Sequence, residues 1–316
     1  MKRFLALLLL LPVVALAWQP ERSVISVVGF APGAGNELAF RQASAIVTKN
    51  NPKISFVIEN RPGADSVVAQ NHMLTAPPDG YTLSIPSHMS LFVTNDIWQR
   101  DIKKFQYNSF VNVVTLGKSP LAVVTTAKSV IATPEEFTAL LTMGYRPVNI
   151  AIGGGAHQMA YEYIMWRVNG NREQVKMIRY PGPLQAVTAV ASEQTEFGIM
   201  PIAVARPLIE AGRVKLIGLT TNNTMGGMPT MARAVPGLNV SAGWMISLPP
   251  NTPRDIVDWY QREFSRAIKS REYQEWARAN YVYTVDSELT SAGVQHYAEE
   301  LRRTFEPIIP HVSREQ

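Results

Sequence analysis

Short apolar runs bounded by glycine, proline or polar residues recur along the chain and indicate buried β-strands. These runs are rich in valine and isoleucine and are too short to be complete helices. The pattern predicts ten strands, at residues 23–29, 54–59, 81–85, 111–116, 121–126, 148–152, 175–180, 196–200, 214–220 and 244–248.

Segments with apolar residues at three- and four-residue spacing lie between these strands and indicate amphipathic helices. They predict helices at 36–47, 66–74, 134–142, 158–168, 184–191 and 205–211, with further helices after residue 252. Asn36 is available as the N-cap of the first. Strands alternating with helices are typical of an α/β protein with parallel sheets. We therefore expect an α/β fold with mainly parallel sheets, and the length of 316 residues favours two domains.

Residues 1–17 have the pattern of an export signal. Two cations precede a short apolar stretch, and residues 15–17 read Ala-Leu-Ala. This order is typical of a secretory signal peptide, here cleaved after Ala17. A membrane anchor is the alternative, but the apolar stretch is shorter than the ~20 residues that a spanning helix needs. We expect the mature chain to lie in the periplasm.

Composition and charge exclude several classes of protein. Hydrophobic residues make up 46% of the chain and charged residues 17%. Disordered chains are instead rich in charged residues and poor in hydrophobic ones, so this composition excludes that class. The formal net charge of +5 includes Lys2 and Arg3 of the leader. The remaining charge is too small to indicate nucleic-acid binding. The sequence has no cysteine, so it forms no disulfide and carries no lipid-modified cysteine.

Common catalytic signatures do not occur in the sequence. It contains no G-x-S-x-G, H-E-x-x-H or G-x-x-x-x-G-K-[ST] motif, and its five histidines include no pair spaced to hold a metal. We therefore expect no catalytic residues, no metal, no cofactor and no enzymatic activity.

Two glycine-rich turns each follow a predicted strand and open into a helix. The first loop, residues 29–36, reads G-F-A-P-G-A-G-N, and the second loop, residues 153–157, reads G-G-G-A-H. Glycine lets the backbone approach a ligand, and the N–H groups of a helix N-terminus favour a carboxylate or phosphate. One such turn could merely redirect the chain. Two of them favour a pair of anion-binding loops.

Several motifs in this chain together resemble one receptor family. E-N-R-P-G-A stands at 59–64, P-D-G-Y-T-L at 78–83, Y-P-G at 180–182, A-G-R-V-K at 211–215 and L-P-P-N-T-P at 248–253. With the first loop, these resemble the periplasmic solute receptors of tripartite tricarboxylate transporters, the Bug (TctC-like) family. The similarity runs from about residue 20 to residue 267, and the first two motifs at this spacing are specific.

The resemblance implies a Venus-flytrap fold of periplasmic binding protein type II. Lobe 1 would comprise residues 18–117 and 225–316, lobe 2 residues 118–224, and the chain would cross between them near 117–120 and 221–224. The implied function is to capture a small organic carboxylate and deliver it to a large and a small membrane subunit of a transporter. We expect a monomer. A module that closes on a ligand and signals to a sensor kinase is the alternative, because it would have the same cleft.

The resemblance also implies which residues meet the ligand, since the family's two loops hold one carboxylate largely through backbone N–H groups and water. Ser87 and His88 align with a family Thr-Ser position, and Tyr180 and Pro201 with two further site positions. The loop candidates are Phe30, Ala31, Gly33, Ala34, Gly35 and Asn36 in the first loop and Gly153, Gly154, Gly155, Ala156 and His157 in the second.

The loops depart from the family pattern, which suggests a changed ligand. Asn36-Glu37 replaces a Thr-Asp or Ser-Asp pair, and Ala156-His157 replaces hydroxyl residues. Because Glu37 would repel a carboxylate, we expect Asn36 to face the ligand and Glu37 to stabilise its helix. His157 either faces the ligand and makes binding tighter in mild acid, or points away and caps its helix. Residues 60–63 read as a structural turn.

Overall fold

The computed structural model describes residues 18–222 and 224–312. The predicted signal peptide, with its cleavage after Ala17, lies outside the described residues. The strands are β1 (Val24–Val28), β2 (Phe56–Asn60), β3 (Thr82–Ser84), β4 (Val111–Thr126), β5 (Val148–Ile152), β6 (Val175–Arg179), β7 (Phe197–Pro201), β8 (Val214–Leu219) and β9 (Ser241–Leu248). The helices are α1 (Gly35–Asn50), α2 (Val67–Met73), α3 (Asn95–Trp98), α4 (Pro134–Met143), α5 (Gly155–Arg167), α6 (Pro183–Ala191), α7 (Ile202–Glu210), α8 (Arg254–Lys269), α9 (Arg271–Ala279) and α10 (Ser291–Phe305).

The strands form two parallel groups joined through β4. Their order is β2-β1-β3-β9-β4-β7-β5-β6, and β8 also pairs with β4. β1 pairs in parallel with β2 and β3, and β5 pairs in parallel with β6 and β7. Every pairing of β4 and β9 is antiparallel. The α/β architecture is as predicted, and antiparallel strands connect its two parallel groups.

Strand β4 is continuous where the sequence predicted two strands separated by a break. Its residues 111–120 pair with β9, and residues 121–126 pair with β7 and β8. The sequence predicts a break because G-K-S-P interrupts the apolar run at residues 117–120, and this prediction was wrong. Partners on both sides sustain the strand instead: Lys118 N donates to Tyr283 O at 2.9 Å, and Leu121 N donates to Thr220 Oγ1 at 3.2 Å. The boundaries of the two lobes remain a prediction.

Helix α1 begins one residue earlier than the predicted N-cap. Ala34 occupies the N-cap position and Asn36 lies within the first turn. Asn36 is buried, and its Nδ2 donates to Ile85 O at 2.9 Å, which ties α1 to the end of β3. The N-cap prediction was wrong because a buried backbone carbonyl from a distant strand competes for the same side chain. The sequence also missed the π-helical turn Ser90–Thr94, which runs directly into α3.

The parallel strands place their following loops along shared edges. The first loop follows β1, and the segment from Arg61 to Ser66 follows the neighbouring β2. The second loop follows β5, and Tyr180 to Gly182 follow the neighbouring β6. Carboxyl ends of parallel strands are where α/β proteins build ligand sites.

Candidate functional site

A cavity of about 350 Å³ lies where these four loops meet. Both glycine-rich loops contribute to its wall, together with the loops after β2 and β6 and the segment that ends at Gln99. Its lining consists of Gly29, Phe30, Ala31, Pro62, Gly63, Ala64, Asp65, Thr94, Trp98, Gln99, Ile152, Gly153, Gly154, Gly155, Gln158, Arg179, Tyr180 and Pro181. A volume of this size suits a small ligand.

The first loop is held in place by the motif that follows β2. Asn60 Nδ2 donates to Phe30 O at 3.0 Å and to Glu37 Oε2 at 3.0 Å. The Glu37 carboxylate also accepts from Gly33 N at 3.2 Å and from Arg41 Nε at 2.8 Å. Burial raises the pKa of Glu37, but these hydrogen bonds and the charge of Arg41 lower it overall. The Glu37 carboxylate therefore accepts the hydrogen bond of the Gly33 amide and stabilises its own helix, as expected from the sequence.

The second loop is fixed by contacts within it and with the loop after β6. His157 Nδ1 lies 3.2 Å from Gly153 N and accepts its hydrogen bond. A Cβ added at Gly153 would collide with the backbone of Gly182 and Pro183. Burial lowers the pKa of His157 to about 4, so its ring is neutral at neutral pH. The His157 ring thus folds back onto its own loop in the structure.

Two side chains that sequence reasoning missed bring hydrogen-bond donors to the cavity. Arg179 is exposed at the end of β6, opposite Ile152 of β5. Its guanidinium has no ion-pair or hydrogen-bond partner among residues 18–222 and 224–312. Gln158 is 1% exposed, and its Nε2 likewise has no partner within the described chain. The sequence signal for Arg179 was its place at the end of a predicted parallel strand, directly before the Y-P-G motif.

Asp65 brings a carboxylate to the same cavity. Thr94 Oγ1 donates to Asp65 Oδ2 at 2.6 Å. Burial raises the pKa of Asp65, while hydrogen bonds from Thr94 and Ser90 and the charge of Arg179 act in the other direction. Asp65 was also missed, because it follows a motif that reads as a structural turn.

The structure brings only some of the predicted site residues together at this cavity. Phe30, Ala31, Gly153, Gly154, Gly155 and Tyr180 line it. Gly33, Ala34, Gly35, Asn36, Ser87, His88, Ala156, His157 and Pro201 do not line it. Their contact with a ligand remains a prediction.

Ser87 and His88 lie in a buried cluster near β4 and β9. Ser87 forms an antiparallel bridge with Trp244. His88 Nε2 lies 3.0 Å from Thr115 Oγ1, and its ring stacks on Phe92. Burial lowers the pKa of His88 well below its usual range, and the charge of Lys118 lowers it further. This ring is therefore neutral and packs within the core.

Among the described residues, no group of three or more histidines and acidic residues is placed to hold a metal ion. In the same part of the chain, no helix combines the length and the apolar character needed to cross a membrane.

Comparison with known proteins supports the family resemblance. The model of the tripartite tricarboxylate transporter family receptor matches residues 39–312. A UPF0065 protein of Bordetella bronchiseptica is 26% identical over 268 residues, which cover 80% of this chain and 76% of that protein.

Solved structures share the fold. Rpa4515 of R. palustris with adipate has a TM-score of 0.82 at 21% identity, covering 92% of this chain and 96% of that one. MatC from Rhodopseudomonas palustris with bound malate has a TM-score of 0.80 at 20% identity, covering 92% and 100%. The predicted two-lobed α/β fold of periplasmic binding proteins is thereby confirmed. The chain belongs to the family of tripartite tricarboxylate transporter receptors, which are periplasmic solute-binding proteins.

Proposed function

We propose that this protein is a periplasmic receptor that captures a small organic carboxylate in the cavity and delivers it to a tripartite tricarboxylate-type transporter. The observation that carries the proposal is the unpaired guanidinium of Arg179 in a cavity bounded by both glycine-rich loops. A guanidinium presents paired N–H donors that match the geometry of a carboxylate. The structures with adipate and malate support the same chemical class.

Gln158 and the second loop complete a set of donors for one carboxylate group. Gln158 Nε2 is a buried donor without a partner in the described chain, and such a group is costly unless a ligand or water satisfies it. The N-terminus of α5 adds partial positive charge beside it. In this proposal Arg179 and Gln158 bind the carboxylate, and the glycines allow the backbone to approach it.

Capture in this proposal closes the two lobes, residues 18–117 with 225–316 and residues 118–224, about the crossings near 117–120 and 221–224. In this proposal the signal peptide is cleaved after Ala17, and the mature chain is a monomer in the periplasm. Its partners are the large and small membrane subunits of the transporter. Hinge closure around a ligand is the usual motion of binding proteins with this architecture.

Replacement of Arg179 tests the proposal. We expect Arg179→Gln to weaken carboxylate binding about tenfold or more, because a hydrogen bond to a charged group contributes roughly 1.5–3 kcal/mol. Titration calorimetry with a panel of mono-, di- and aminocarboxylates measures the change. Arg213→Gln is the matched control, because Arg213 is also exposed but lies far along the sheet from β6. It directly precedes β8, and Val214 of β8 pairs with Thr126 of β4.

Two results would contradict the proposal. One is a panel in which no carboxylate binds the wild-type protein. The other is an affinity that is unchanged in Arg179→Gln, since the guanidinium would then have no part in binding.

A further inference from the structure

Asp65 lies in a strained segment on the wall of the cavity. Ala64, Asp65 and Ser66 have φ values of 47°, 50° and 76°, so three successive residues other than glycine adopt the left-handed conformation. L-residues enter this region only at a cost, and strain of this kind concentrates at ligand sites. The segment packs closely against Gly29, because the Ser66 side chain fills the space that a Cβ at Gly29 would occupy. This packing holds the segment that carries Asp65 beside the first loop.

The Asp65 carboxylate contacts both sides of the cavity. Thr94 Oγ1 holds Oδ2 at 2.6 Å, and Gly155 approaches so closely that an added Cβ would lie 2.5 Å from the same oxygen. Gly155 is the first residue of α5. The negative charge thus faces the loop that is proposed to bind the ligand.

Arg179 and Asp65 are the charged residues in the described lining of the cavity. The charge of each acts on the other, but they form no ion pair in the described structure. Both side chains line the cavity of about 350 Å³. One cation and one anion in the lining of the same cavity complement a ligand that itself carries both charges.

We propose that Asp65 is a specificity-determining residue that selects carboxylates bearing a protonated amino group and excludes dicarboxylates of the same length. The inference rests on the proposed function, since it takes Arg179 to hold the ligand carboxylate. A second carboxylate would meet Asp65 as a like charge, whereas an ammonium group would donate to it. Selectivity by repulsion of the wrong ligand is a common device in binding sites.

The test uses the mature chain and chemically matched probes. Calorimetry at pH 7 compares butanoate, butanedioate and 4-aminobutanoate, then pentanoate, pentanedioate and 5-aminopentanoate. For the wild type we expect the amino acid of a set to bind at least about tenfold more tightly than the diacid. Asp65→Asn removes the charge with little change of shape, and asparagine tolerates the left-handed conformation. It should abolish or reverse this preference.

A second variant of Asp65 and a control variant at another aspartate complete the test. Asp65→Gly also removes the carboxylate, and glycine relieves the strain at this φ, so it serves if the asparagine variant is poorly folded. Asp101→Asn is the charge-matched control, because Asp101 is exposed and does not line the cavity. We expect it to keep the wild-type preference.

The outcomes separate the two proposals. Equal binding of amino acid and diacid by the wild type, or a preference that persists in both Asp65 variants, overturns the role of Asp65 and leaves carboxylate capture intact. Failure of every probe to bind the wild type overturns both. Tight binding that is insensitive to Arg179→Gln overturns carboxylate capture through Arg179.

Discussion

Lys118 and Glu288 form a buried ion pair where β4 passes between the two groups of strands. Lys118 Nζ lies 2.5 Å from Glu288 Oε1, and each side chain is only 6% exposed. The ammonium also lies 3.2 Å from the centre of the Tyr297 ring. Burial lowers the pKa of Lys118, although the charge of Glu288 acts in the other direction. Desolvation of the ammonium therefore outweighs its attraction to the carboxylate.

These contacts predict an asymmetry between single and double replacements. Glu288→Met leaves the buried ammonium without its paired carboxylate, and Lys118→Met leaves the buried carboxylate without its paired ammonium. Each single variant should lose about 3–5 kcal/mol of unfolding free energy, a large part of the ~5–15 kcal/mol of an ordinary domain. The double variant leaves no buried charge at these two positions, so its unfolding free energy should lie within about 1 kcal/mol of that of the wild type or exceed it.

Urea unfolding at pH 7, followed by far-UV circular dichroism, measures the four proteins as a double-mutant cycle. The control is Arg206→Met, which breaks the pair with Glu210. That pair has the same N–O distance of 2.5 Å, but its side chains are 41% and 60% exposed. We expect a much smaller loss than in either buried single variant, because solvent screens an exposed pair. Additive losses in the double variant, or a loss in Glu288→Met no larger than the control, would refute the reasoning.

Two further predictions concern the second loop. Burial lowers the pKa of His157 to about 4. Below pH ~6.5 the unfolded chain therefore binds a proton at this residue that the folded chain does not bind. The free energy of unfolding should then fall by roughly 3 kcal/mol as the pH falls from ~6.5 to about 4. His157→Gln should reduce this loss of unfolding free energy in urea titrations between pH 7 and 4. The control is the exposed His296→Gln, which should leave the loss as it is in the wild type. Equal dependence of unfolding free energy on pH in all three proteins would contradict the burial of His157. Gly153→Ala should lower the melting temperature, because the added Cβ would collide with backbone atoms of the loop after β6. Gly154→Ala should change the melting temperature little, because the nearest atom to its added Cβ lies 3.4 Å away in the His157 ring. Equal melting temperatures for the two glycine variants would show that the loops do not touch.

The sequence determined the local elements and the family. The predicted strand at 148–152 coincides with β5, and the predicted helix at 134–142 ends one residue short of α4. Hydrophobic period and capping residues act over a few positions, so the chain itself displays them. Both glycine-rich loops could be placed after strands for the same reason, and Glu37 could be assigned to its helix because its partners Gly33 and Arg41 are close in sequence.

Tertiary structure alone decided which side chains face the cavity. Asn36, whose sequence neighbours suggested an N-cap, donates to a carbonyl of a distant strand. Asp65 and Arg179 belong to separate parallel groups and meet across the cavity only because β4 joins these groups. His157 turns inward because its ring nitrogen accepts the amide of Gly153. Burial and pairing depend on residues far apart in the chain, and local periodicity carries no information about which of them meet.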